Sequence, residues 1–171
     1  MDRREAVRNI VLASGATIFL TGCADRNVIE FLADGKLKLN DKHLDYLGRI
    51  SEAFLPIEGV SEKIGDPVSF IMTMVNDCSS TEQIRQFATG FEQYKMLMKE
   101  SRLKIKKADA SEVTTVVQAA LEEAAPKEDL IYFISSVRNL SIRNLTSSEY
   151  YMTEYREYQM IPEPYQPCIN V

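Results

Sequence analysis

Histidine is nearly missing from this chain, glycine is sparse, and no apolar stretch reaches membrane-spanning length. Each shortage removes a class of function. One histidine in 171 residues leaves no second imidazole for a metal site, and His43 itself stands one turn into a polar helix start, the position of a solvated or capping residue. The seven glycines form neither G-x-G-x-x-G nor G-x-x-x-x-G-K-[ST], so no loop is visible that would cradle a dinucleotide or a nucleotide phosphate, and C-x-x-C-H haem attachment is absent too. Twenty Lys and Arg against 25 Asp and Glu give a net charge of −5, which provides no basic footprint for nucleic acid. Between the helical segments there is no useful period-2 alternation, and Asp34-Gly35 is the lone hairpin signal. The carboxylate pairs Glu122-Glu123 and Glu128-Asp129 flank Pro126 as solvated helix ends.

What is present begins with charge and then grease. Met1 to Arg8 carries Arg3, Arg4 and Arg8, and Ile10 to Leu20 is apolar except for Ser14, Gly15 and Thr17. A run of about eleven residues at roughly 1.5 Å each covers little more than half of a roughly 30 Å hydrocarbon core. It ends at Leu20-Thr21-Gly22-Cys23, where small residues precede a cysteine. Basic region, apolar region and small-residue cleavage box in that order read as a lipoprotein export signal over 1–22, with Cys23 as the lipidated residue. Arg3-Arg4 points to the twin-arginine route, which exports folded proteins. The expected address is the periplasmic side of the envelope, anchored by lipid.

Assigning Cys23 to the lipid leaves Cys78 and Cys168 as a candidate disulfide, with two separate thiols as the other reading. Bonded, they would close a loop of about 90 residues, a constraint of about 4 to 5 kcal/mol in the chain-entropy model.

Residues 23–39 read as lipidated cysteine and linker, and 40–171 as one helical domain with a tail over 146–171. Asn40 caps a helix with Leu44, Leu47, Ile50 or Ser51, and Phe54 on one side, stopped by Leu55-Pro56. Asp66-Pro67 starts the next, Val68 to about Asp77, apolar nearly all round and therefore expected at the centre. Ser79 and Glu82 have capping-box spacing ahead of Ile84, Phe87, Phe91, Tyr94 and Met98, the clearest amphipathic stripe in the chain. Lys104, Lys106 and Lys107 mark its end. Ser111 opens a helix with Val113, Val116, Val117, Ala120 and Leu121, halted before Pro126, and another runs from about Lys127 to Asn144 with Leu130, Phe133, Ile134, Val137 and Leu140 inward. Thr146-Ser147-Ser148-Glu149 caps a short helix. Tyr150, Tyr151, Tyr155, Tyr158 and Tyr165 then crowd toward Pro162, Pro164 and Pro167, a composition suited to docking or to folding back on the core. The fold class is all-α: a compact single-domain bundle of five to six helices with an extended Tyr/Pro-rich C-terminal tail.

Phe54-Leu55-Pro56, Asp66-Pro67, Asn76-Asp77-Cys78, Ser147-Ser148-Glu149-Tyr150-Tyr151, Tyr158-Gln159-Met160-Ile161-Pro162 and Pro164-Tyr165-Gln166-Pro167-Cys168 occur in an order that resembles the gluconate 2-dehydrogenase subunit 3 family. Pro167 takes the place of a glycine in that family's terminal motif. The resemblance implies the non-catalytic small subunit of a membrane-associated sugar or gluconate dehydrogenase. In such a complex this chain binds no cofactor, and a larger GMC-type flavoprotein carries the FAD and the oxidising residues. It also implies an escort role in maturation and export, anchoring at the membrane, and in some members a cytochrome c subunit. Tyr150, Tyr151, Tyr158 and Tyr165 are the expected partner interface. The rival from another class is a stand-alone envelope lipoprotein that binds a ligand or protein, which would show a concave pocket within one chain.

Overall fold

The computed structural model describes residues 29–32, 34–56, 59–122 and 127–156. Arg3, Arg4, Cys23, Tyr158, Tyr165 and Cys168 lie outside the described residues. Within them run seven helices: α1 (Asp41–Ala53), α2 (Ser61–Ile64), α3 (Pro67–Cys78), α4 (Thr81–Glu100), α5 (Ala110–Leu121), α6 (Glu128–Ser147) and α7 (Glu149–Glu154). Five are long and two are short pieces, so the all-α expectation holds, with one short helix, α2, lying between the stop at Leu55-Pro56 and the start at Asp66-Pro67. Two-residue strands β1 (Glu30–Phe31) and β2 (Leu37–Lys38) pair antiparallel ahead of them, with Phe31 opposite Leu37.

The starts of the helices follow side-chain chemistry. Asn40 accepts the His43 amide at 2.9 Å, and Asp66 accepts the amides of Val68 and Ser69 ahead of Pro67 in the first turn, as the sequence suggested. Two caps move. The box before α4 is Ser80 with Gln83, because Ser80 receives the Gln83 amide while Gln83 reaches back to the Ser80 amide at 2.9 Å. Ser79, one residue earlier, is the extended residue that ends α3. For α5 the cap is Asp109, boxed with Glu112, while Ser111 donates its hydroxyl to the Asp109 carboxylate at 2.8 Å. A carboxylate outcompetes a hydroxyl as acceptor at a helix start, and that shifts the boundary. The lysine run lies in the loop after α4, where Lys106 pairs with Asp45 at 3.3 Å and its carbonyl accepts from Arg49.

The centre of the domain is the pair α4 and α6, not α3. Phe133 of α6 lies against Phe87, Phe91 and Tyr94 of α4 with ring centroids 5.0, 5.5 and 5.5 Å apart, edge-on to Phe87 and tilted against the other two, an arrangement that adds to area burial through ring–ring contact. The two backbones meet at Gly90: a Cβ built there would lie 2.6 Å from the Phe133 Cβ and against the Asp129 carbonyl oxygen. By contrast α3 buries only Pro67, Ile71 and Val75, leaving Phe70, Met72 and Met74 half-buried. Its apolar surround reflects a helix gripped on two sides, by α1 and by α6.

The turn at Asp34-Gly35 is real. Gly35 takes φ +83°, the left-handed region open to glycine, and Asp34 accepts the Lys36 amide at 3.1 Å. The hairpin is fastened to the end of α3: Asn76 accepts the Leu37 amide at 2.8 Å and donates to the Leu37 carbonyl at 3.0 Å. An amide thereby completes the edge of a strand as a neighbouring strand would, and Lys36 pairs with Asp77 at 2.9 Å alongside. Asn76 and Asp77 therefore have a structural task.

Candidate functional site

α7 grows directly out of α6. Ser148 ends one helix and caps the other, donating its hydroxyl to the Leu145 carbonyl at 2.6 Å and accepting the Tyr151 amide at 3.1 Å. That junction turns the chain and sets Tyr150 and Tyr151 beside a second small core of Val60, Ile64 and Leu145, with Leu55 at its edge. Both tyrosines are half-buried. Tyr155, one turn further, stacks on Tyr151 with centroids 5.5 Å apart and meets Tyr150 edge-on at 5.9 Å. The Lys63 ammonium sits 4.7 Å from the centre of the Tyr150 ring, within cation–π range.

Tyr155 is 52% exposed, and a hydrogen bond to Tyr150 is the chief cause that makes its hydroxyl harder to ionise than an ordinary tyrosine. The result is an ordered aromatic face on the surface, held from below by apolar packing. Tyrosine suits such a face because it offers rigid apolar area with a polar rim. The structure brings Tyr150 and Tyr151 of the expected interface together and adds Tyr155. Its signal was spacing: Tyr155 follows Tyr151 by four residues, the separation at which helical side chains stack.

Hollows also mark the surface of the described residues. A groove of about 780 Å³ opens beside α2 and the start of α5, lined by Arg49, Leu55, Val60, Lys107, Asp109 and Ser111 among others. A smaller crevice of about 270 Å³ lies between α3, α4 and α6, with Met74, Phe87, Tyr132 and Leu140 in its wall and Cys78 at its edge. Cys78 is exposed and unbonded among the described residues.

His43 corrects the sequence reading. It is 2% exposed, packed edge-on to Phe91 at 5.6 Å, and its Nε2 lies 2.9 Å from Lys95 Nζ. Lys95, 5% exposed, is also bound to Glu92 at 2.8 Å. The polar helix start misled because the cap is made by the His43 backbone amide, which leaves the ring free to turn inward. Tyr94 is another deep polar group: its hydroxyl has no partner among the described residues, and burial, then the nearby Tyr46, pushes its ionisation well above the ordinary tyrosine range. No three His, Cys, Asp or Glu side chains among the described residues gather as a metal would require, and none of the described helices is long and apolar enough to cross a membrane.

Fold and surface thus define a small all-α domain whose most organised exposed feature is an aromatic face at the junction of two helices. The chain belongs to the gluconate 2-dehydrogenase subunit 3 family, whose model matches residues 41–164, from the first residue of α1 into the C-terminal tail. By that description the family is a subunit of a dehydrogenase complex. No curated protein and no solved structure matches the chain significantly.

Proposed function

We propose that this chain is the non-catalytic small subunit of a membrane-associated, FAD-dependent sugar or gluconate dehydrogenase, required for maturation, export and anchoring of a larger GMC-type flavoprotein. The observation that carries the reading is the family match, which covers the bundle and α7. The aromatic face of Tyr150, Tyr151 and Tyr155 supports it as the docking surface, extended by Tyr158 and Tyr165 in the tail. FAD belongs to the partner. A cytochrome c subunit is the further partner this reading accommodates, receiving electrons from the flavoprotein.

In the same reading Arg3 and Arg4 supply the twin-arginine address, and Cys23 carries the lipid that holds the complex on the periplasmic side. A flavoprotein that folds around its cofactor before export needs such an escort. Cys78 and Cys168 pair in the oxidising compartment, and reduction of the mature protein would then add the mass of the two bonding hydrogens.

Affinity capture on the full chain, expressed with its native operon, tests the proposal. A flavoprotein with bound FAD should co-purify, Tyr155→Ala should weaken its retention about tenfold or more if this face is central to the interface, and changing Arg3 and Arg4 to Lys should strand the flavoprotein in the cytoplasm. Capture that yields no flavoprotein, or export unaffected by the arginine change, overturns it. The groove beside α2 favours a second reading, a stand-alone lipoprotein with a small ligand of its own, and a chain that purifies alone with an endogenous small molecule would establish that instead.

A further inference from the structure

We propose that the tip of the β1–β2 hairpin, through Phe31 and Leu32, rests in the lipid surface beside the anchored Cys23 and sets the orientation of the bundle on the membrane. The inference rests on the reading of Cys23 as the lipidated residue and adds a second membrane contact to it. Phe31 is 48% exposed and Leu32 44%, and the two are adjacent. The other exposed aliphatic side chains among the described residues, Met96, Leu121, Ile131 and Ile142, have no such neighbour in sequence. Single exposed hydrophobics are ordinary on a protein surface. A pair at the end of a fixed turn is a concentrated patch.

The hairpin is held too firmly to fold these side chains away. Leu32 donates its amide to the Lys36 carbonyl at 2.8 Å, and its own carbonyl accepts the Gly35 amide at 2.9 Å, so backbone bonds set its place at the turn. Behind it Ile29, Leu37 and Leu39 are buried in the main core, while Asn76 and Asp77 of α3 grip Leu37 and Lys36. Phe31 stands opposite Leu37 in the ladder, and about half of its surface remains open.

Chain length selects the occupant. Eight residue steps separate Cys23 from Phe31, which limits their separation to about 26 to 29 Å even in a fully extended chain. Acyl chains on Cys23 hold that residue at the headgroup level, and the hairpin is the first described element after it. A tether this short gives an effective concentration in the millimolar range. Two apolar side chains then settle in the interfacial zone, although their area is too small to bind a membrane alone. Charge does not choose the lipid: Lys38 is exposed on β2, but Asp34 is exposed at the turn and Lys36 is paired with Asp77. The contact is apolar and should form on neutral phosphatidylcholine and persist at high salt.

The chain contains no tryptophan, so Phe31→Trp and Leu32→Trp each give a single emission to follow. The full-length chain, matured in cells, is reconstituted in phosphatidylcholine vesicles, and the mass of the Cys23 peptide shows whether acyl chains are attached. With lipid attached, brominated phosphatidylcholine should quench both positions severalfold and aqueous iodide should lose most of its access to them. Met96→Trp is the control. It is 47% exposed and stands 15 residues, about 22 Å, along α4 from Thr81, the residue beside Gly35, so it should stay open to iodide and dark to the brominated lipid. Lipid on Cys23 with positions 31 and 32 as open to iodide as position 96 overturns the hairpin contact alone. A mature chain without lipid overturns it together with the anchoring reading. Equal lipid quenching at all three positions means adsorption without orientation, and shielding that appears only with a co-purified flavoprotein assigns the patch to that partner. Both overturn the proposal. Should Phe31→Trp fail to fold, Leu32→Trp decides.

Discussion

Two helical glycines should respond to alanine with opposite signs. In an exposed helix the change to alanine favours the helix by about 1 kcal/mol, and Gly48 of α1 has room for it, since a Cβ there would meet Val68 Cγ2 at an ordinary 3.5 Å. Gly48→Ala should therefore raise the melting temperature by a few degrees. At Gly90 the same Cβ would lie 2.6 Å from the Phe133 Cβ and press on the Asp129 carbonyl oxygen. Ordinary carbon contacts need about 3.5 Å or more, so α4 and α6 must separate by about 1 Å along that line. The obstruction is backbone and a Cβ, neither of which can rotate away. Separation loosens the contacts of Phe133 with Phe87, Phe91 and Tyr94. Overpacking of this kind costs about 1 to 3 kcal/mol and sometimes more. With a backbone obstruction the upper end applies, and after the propensity gain a net loss of about 2 kcal/mol remains. For a domain of this size that is roughly a 6 to 10 °C fall in melting temperature, read by circular dichroism at 222 nm. If Gly90→Ala melts at or above the wild type, the close approach of α4 and α6 is not as described.

Asn76→Ala removes both hydrogen bonds to the Leu37 backbone and should cost about 1 to 3 kcal/mol, with faster amide exchange at Leu37 while α4 and α6 stay protected. Tyr94→Phe deletes a buried hydroxyl that has no partner among the described residues, so it should be neutral or stabilising by up to about 1 kcal/mol. Because ionisation of Tyr94 in the folded chain is pushed above the ordinary value near 10, its contribution is full below pH 10. As pH rises past that value the unfolded chain loses the proton first and stability falls. Urea midpoints at pH 9 and pH 11 should show this drop in the wild type and a smaller one in Tyr94→Phe, and equal drops would refute the assignment. The amide of Glu112 and the hydroxyl of Ser111 hold the Asp109 carboxylate below its ordinary range, so its support for α5 is present above the usual carboxylate value and is lost as pH falls through the lowered one. Asp109→Ala should remove that acid-side loss and fray α5, while Asp109→Asn, which keeps a cap, should fray it less.

What the sequence revealed and what it hid divide by the distance over which each interaction reaches. The stripe Ile84, Phe87, Phe91, Tyr94 and Met98 was legible because a helix returns side chains to one face every three or four residues, and all five are buried. Caps were legible to within two residues, since the competing acceptors, Ser79 against Ser80 and Asp109 against Ser111, stand that close in sequence and differ only in backbone direction and charge. Tyr150 and Tyr151 were legible as a candidate face because tyrosine in a short capped segment has few other uses. Three features were hidden: the Gly90 approach, the grip of Asn76 on Leu37 and the pairing of His43 with Lys95. Each joins residues some forty to fifty positions apart, and each involves a residue whose local pattern argues for something else, a glycine in a helix, an asparagine near a helix end, a histidine at a polar start. Such residues are explained by the opposite element, and periodicity along one helix carries no information about it. The same logic accounts for Lys95: a buried lysine on the core side of α4 is costly unless a partner is fixed for it, and its Nζ lies 2.9 Å from the ring of the chain's single histidine, contributed by α1.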